Sequence, residues 1–66
     1  MFIGASTENG IAIYWNGYEW TEEPSDAMEY STMNGYFEIG KLEADYIDCP
    51  EEYNYHGAKI TSIFEI

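Results

Sequence analysis

Three Asn-Gly pairs, Asn9-Gly10, Asn16-Gly17 and Asn34-Gly35, punctuate residues 1–35 of this chain. Both residue types tolerate the positive φ that a type I′ hairpin turn demands, so each pair marks a place where the backbone can reverse. The first two flank Ile11-Ala12-Ile13-Tyr14-Trp15, a β-branched and aromatic run of strand length. Residues 2–7 read as the strand before it and residues 18–21 as the strand after it, which makes a three-stranded antiparallel meander. Alternation in the middle strand puts Ile11, Ile13 and Trp15 on one face, with Ala12 and Tyr14 on the other.

Glu22-Glu23-Pro24 ends the meander, since proline disfavours helical geometry at Glu23. Ser25 is a good N-cap, and Asp26 and Glu29 suit a helix N-terminus. The pattern predicts a helix from about Asp26 to Met33, stopped at Asn34-Gly35 by a left-handed residue. Residues 36–47 admit two readings. Phe37 and Ile39 alternate with Glu38, and Leu42, Ala44 and Tyr46 alternate with Glu43 and Asp45, so a strand bent by a bulge at Gly40-Lys41 fits. A helix from Lys41 to Asp48 is the competitor. Residues 49–57 read as a loop with a turn after Pro50. Lys59 to Ile66 closes as a strand with Ile60, Phe64 and Ile66 on one face. The fold class is α+β: a small antiparallel sheet of four to five strands, with an N-terminal meander and one short helix, in a single domain over residues 1–66.

Charge bounds the function more tightly than any motif. Thirteen acids face two lysines and no arginine, a formal net charge of −11 in 66 residues. Direct nucleic-acid binding is excluded, because neutralising phosphates needs a basic stripe. An anionic membrane surface is disfavoured on the same ground, and no apolar run approaches the ~18–20 residues of a membrane span. Val, Ile, Leu and Phe make only 12 of the 66 residues, a composition that borders on disorder. Seven Tyr, two Trp and three Met supply the apolar area that an acidic tail lacks. The core is still small, since a domain near 60 residues buries only about 60% of its unfolded surface. The single cysteine, Cys49, makes no internal disulfide, and a free thiol with no secretory leader pattern fits a cytoplasmic protein. Homodimerisation would add burial.

No cofactor or metal site is expected. Cys49 and His56 are the only soft ligands, well short of a structural zinc set. Asp45, Asp48, Glu51 and Glu52 have charge but not the calcium-loop register with its central glycine. Cys49 and His56 also make a poor nucleophilic dyad, because surrounding carboxylates raise a thiol pKa. Phosphate-cradling glycine patterns are absent. The chain reads as a binding protein, not an enzyme.

Thirteen carboxylates spread evenly over ~4,300 Å², the surface expected for this mass, would only keep a protein soluble. Two clusters offer more. Glu22, Glu23, Asp26 and Glu29 flank and enter the expected helix, with neighbour spacing along it. Glu43, Asp45, Asp48, Glu51 and Glu52 form the second. On a strand, Glu43 and Asp45 share a face about 6.6–7 Å apart, close to a phosphate step along a nucleic-acid backbone. Solubility alone asks for a net charge of only about 2–8 in a small domain. Tyrosines add rigid contact area with a polar tip, and Tyr53 and Tyr55 are the pair expected at the surface.

In size, charge and single-domain make-up the chain resembles the small phage-encoded acidic inhibitors, the anti-CRISPR and anti-restriction DNA mimics. The resemblance covers composition across the whole chain and carries no shared motif. It implies an inhibitor that occupies a basic nucleic-acid-binding groove of a host defence complex, such as a Cas surveillance complex, in the host cytosol. An antitoxin or immunity protein that neutralises a basic nuclease is the alternative. Expected partner-binding residues are both acidic clusters with Tyr53 and Tyr55.

Overall fold

The structure, a computed structural model, describes residues 1–66. Strands β1 (Ile3–Thr7), β2 (Ala12–Trp15) and β3 (Trp20–Thr21) form the expected meander. Helix α1 (Thr32–Asp48) follows, and β4 (Asn54–Tyr55) and β5 (Ala58–Glu65) close the chain. All pairings are antiparallel, in the order β3-β2-β1-β5-β4, so the fold is α+β. The last strand inserts between β1 and β4 and brings the two ends of the chain together, with Phe2 and Ile66 exchanging backbone hydrogen bonds at 3.2 and 2.8 Å. No helix is long and apolar enough to cross a membrane.

The reversals fall where Asn-Gly put two of them, but not in the expected geometry. Gly10 and Gly17 have φ of 83° and 101°, while Asn9 and Asn16 stay at negative φ, so neither loop is type I′. After β1 the Gly10 amide closes on the Thr7 carbonyl at 3.0 Å, a short loop ending in a left-handed glycine. After β2 the Asn16 side-chain oxygen accepts from the amides of Tyr18 and Glu19, both at 2.8 Å. The turn with two successive positive φ values is His56-Gly57, at 50° and 86°, between β4 and β5.

The helix is displaced from its expected place. Pro24–Asp26 makes only a single 3₁₀ turn. Ser31, not Ser25, caps the helix, its Oγ accepting from the Asn34 amide at 3.3 Å. Asn34-Gly35 therefore lies inside the first turns rather than at a stop. The bent strand over residues 36–47 does not form, and the helical reading of Lys41–Asp48 holds as the second half of a 17-residue helix. Gly35, Ile39, Leu42 and Tyr46 decide it. Their spacings of four, three and four residues make one helical face, and three of them are buried.

That face covers one side of the sheet. Ile3, Ala5, Ile13, Ile39, Leu42, Tyr53 and Ile60 form the core, beneath a total accessible surface of 4311 Å². Ala5 stands opposite Ile13 on one side and Ile63 on the other, whereas Gly4 stands between Tyr14 and Phe64. A bulge shifts the β1–β5 register between Ser6 and Thr7. It places Ile60 opposite Thr7 and with Ile63 on the helix side, and leaves Phe64 and Ile66 on the open side against Gly4. The expected common face of Ile60, Phe64 and Ile66 is thus broken by one extra residue.

Candidate partner-binding groove

Strands β3 and β4 end the sheet at opposite edges, yet both reach the C-terminal end of α1. Between them lies an open groove of about 480 Å³. The meander contributes Trp15, Tyr18, Glu19 and Trp20; α1 contributes Asp45; the segment after it contributes Glu52 through His56. Trp15 and Trp20, paired across β2 and β3, pack in a tilted contact with centroids 5.0 Å apart and planes at 58°. Tyr55 closes the far side. Partial burial and the neighbouring Glu22 carboxylate push its hydroxyl pKa up. A second hollow of about 560 Å³ shares Trp15, Asp45 and Tyr53 with the first and adds Glu38, Lys41 and Asp48.

The acids that meet here come from both sequence clusters. Glu22 stands beside Tyr55, and Asp45, Asp48 and Glu52 line the two hollows. Asp45 and Asp48 are one turn apart on a single flank of α1. Glu43 does not join them. On a helix, residues two apart point about 200° from each other, so Glu43 faces the β5 side with Ile47 and Thr61–Ile63. The phosphate-like step expected for Glu43 and Asp45 required a strand and is lost with it. Glu51 turns toward Lys59 and Ile60 in a separate hollow. Glu23 precedes and Asp26 lies two residues after Pro24, which with Ala27, Phe2, Tyr14 and Ile66 lines a hollow on the open side of the sheet. Glu29 is exposed and outside the groove.

Twelve of the thirteen carboxylates are on exposed residues, and the exception, Glu38, is half-buried. Glu38 also makes the one ion pair of the molecule, with Lys41 at 3.7 Å, and accepts from the Trp15 indole at 3.0 Å. Burial and this carboxylate raise the pKa of the nearby Tyr30 hydroxyl. Glu38 is therefore occupied in holding α1 to β2, whereas Glu19, Asp45 and Glu52 in the groove and Asp48 in the second hollow have no ion-pair partner.

Tyr53 departs from its expected exposure. It is only 8% exposed, packs on Tyr46 at 5.4 Å, and donates to Asp45 at 3.0 Å. Burial, then Asp45, pushes its pKa up to about 12. Tyr55 is half-buried and forms a wall of the groove. The Cys49 thiol is pushed up chiefly by its hydrogen bond to Glu52, which opposes thiolate formation. No three carboxylate, thiol or imidazole groups converge into a metal-holding set. Sequence reasoning missed Trp15, Tyr18, Glu19, Trp20 and His56 as groove residues. The available signal was the Asn16-Gly17 turn, which carries Tyr18-Glu19 between two tryptophans. No protein family, curated protein or solved structure matches the chain.

Proposed function

We propose that this protein is an acidic decoy that occupies the basic nucleic-acid channel of a host defence complex and blocks its access to DNA. The observation that carries the reading is the meeting of Glu19, Asp45 and Glu52, from distant parts of the chain, in one groove, with Asp48 in the adjoining hollow, Glu22 beside the wall residue Tyr55, and Lys41 paired to Glu38. Such a ribbon of unpaired charge attracts a cationic channel at long range and suppresses contact with nucleic acid itself. The aromatic walls supply the short-range contact that fixes a pose. Following the class resemblance, the target is a Cas surveillance complex, which places the protein in the cytosol where a free Cys49 thiol stays reduced.

The test is competition. A purified surveillance complex is titrated with labelled target duplex with and without the protein, at about 50 and about 200 mM salt. Displacement of the duplex that weakens at the higher salt supports the decoy. A ternary complex in which duplex and protein bind together unhindered overturns it. Displacement should be lost in the Asp45→Asn/Asp48→Asn/Glu52→Gln variant and kept in a Glu23→Gln/Glu29→Gln/Glu43→Gln variant of equal net charge.

A further inference from the structure

The groove is aromatic as well as acidic, and that combination narrows what it can hold. Indole and phenol faces attract cations through their ring quadrupoles, most strongly where water is thinned. Trp15, Trp20 and Tyr55 are half-buried, so each presents part of its ring to the groove, and Tyr18 is 90% exposed at its mouth. Neither Glu19 nor Glu52, on opposite walls, has an ion-pair partner. A carboxylate beside an aromatic face suits a planar cation, which can stack on the ring while its edge donates two hydrogen bonds to the acid. An ammonium is compact and strongly hydrated, with no plane to stack on a ring and no fork that matches a carboxylate. A bare metal ion has no set of three ligands to bind.

We propose that the groove receives the guanidinium of an arginine side chain projecting from the partner protein, stacked against Trp20 and Tyr18 and held by the adjacent Glu19. This deepens the decoy reading and rests on it for the identity of the partner, but the groove's selectivity is measurable without that partner. Nucleic-acid channels use both lysine and arginine on phosphates, so an arginine-selective groove would dock at particular points rather than along the whole basic surface.

The experiment uses acetylated, amidated hexa-arginine and hexa-lysine as probes, with arginine amide as the single-residue arm. Binding is followed through the indole N–H resonances of Trp15 and Trp20. Hexa-arginine should bind about fivefold or more tighter than hexa-lysine, with the largest shift at Trp20. Tyr18→Ala and Glu19→Gln, both at exposed residues, should each narrow that ratio toward one, while Glu43→Gln leaves it unchanged. A measurable shift with arginine amide alone places recognition in one side chain. Equal affinity for the two peptides, or an arginine preference that survives Tyr18→Ala and Glu19→Gln together, overturns the proposal. Such a failure, with duplex displacement intact, would leave the decoy standing without its arginine anchor. Peptide selectivity without displacement would do the reverse.

Discussion

The Tyr53 hydroxyl donates to Oδ2 of Asp45 at 3.0 Å and so ties the segment entering β4 to the last turns of α1. Tyr46 extends the tie, packing on Tyr53 and donating its hydroxyl to the Ile60 carbonyl at 2.6 Å. Through these contacts one wall of the groove is fixed to the helix that carries its acids. Replacing Tyr53 with Phe keeps the packing and removes one bond to a charged acceptor. The expected loss is about 1 kcal/mol, since Asp45 is exposed and water can replace the donor. That corresponds to roughly 4–8 °C in Tm for a domain of this size, read by thermal unfolding.

The same pair sets a pH dependence. Tyr53 has an ordinary value of 10.0 when unfolded and about 12 in the fold. The neutral form is favoured by folding, so its contribution is fully present below pH 10 and is lost as pH rises through about 12. Tyr30 and Tyr55 are displaced in the same direction by burial and nearby carboxylates, and Tyr36 by its hydrogen bond to Glu65. Urea unfolding across the alkaline range should show stability falling above pH 10, with a shallower fall in Tyr53→Phe. An unchanged slope in that variant would mean Tyr53 does not carry the effect.

Two glycines of α1 make a matched pair. A Cβ at Gly40, exposed in the helix interior, meets nothing within 4 Å. Gly40→Ala should stabilise by about 0.5–1 kcal/mol through backbone entropy alone. A Cβ at buried Gly35 would run into the Met1 side chain, whose sulfur, Cγ and Cε all crowd the position. Gly35→Ala gains the same propensity but must expel Met1 from its place against the core, and should be net destabilising. Urea midpoints of the two variants moving in opposite directions would bear this out; parallel shifts would refute it.

This contrast also shows why the helix was hard to read. Gly35 follows an asparagine, which in sequence signals a stop, but its role is close approach to Met1. The stretch from Phe37 to Tyr46 satisfies both a two-residue and a 3.6-residue period, and only the match of Gly35, Ile39, Leu42 and Tyr46 to a sheet face resolves it. The meander was legible because its strands are β-branched and bounded by Asn-Gly. The β5 bulge was not, since no residue type marks it. Of the site, the acidic character was legible and its partition was not: only the strand reading of residues 36–47 put Glu43 beside Asp45, and the curl that brings Glu22 to Tyr55 is a tertiary event.

Charge should control stability in an unusual direction. With one ion pair against a net charge of −11, added salt has little attraction to weaken and much repulsion to screen. The core it acts on is small, seven buried apolar residues, so modest changes in repulsion are a large part of the total. Raising NaCl from about 20 mM to about 200 mM, over which the Debye length falls from roughly 20 to 7 Å, should raise the urea midpoint. Glu43→Gln, which removes a charge without an ion-pair partner, should raise it slightly at low salt and have no effect at high salt. Lys41→Gln should lower it, because the exchange removes one of two cations and leaves half-buried Glu38 uncompensated beside Trp15. A midpoint that falls with salt would mean that attractive pairs, not repulsion, dominate this surface.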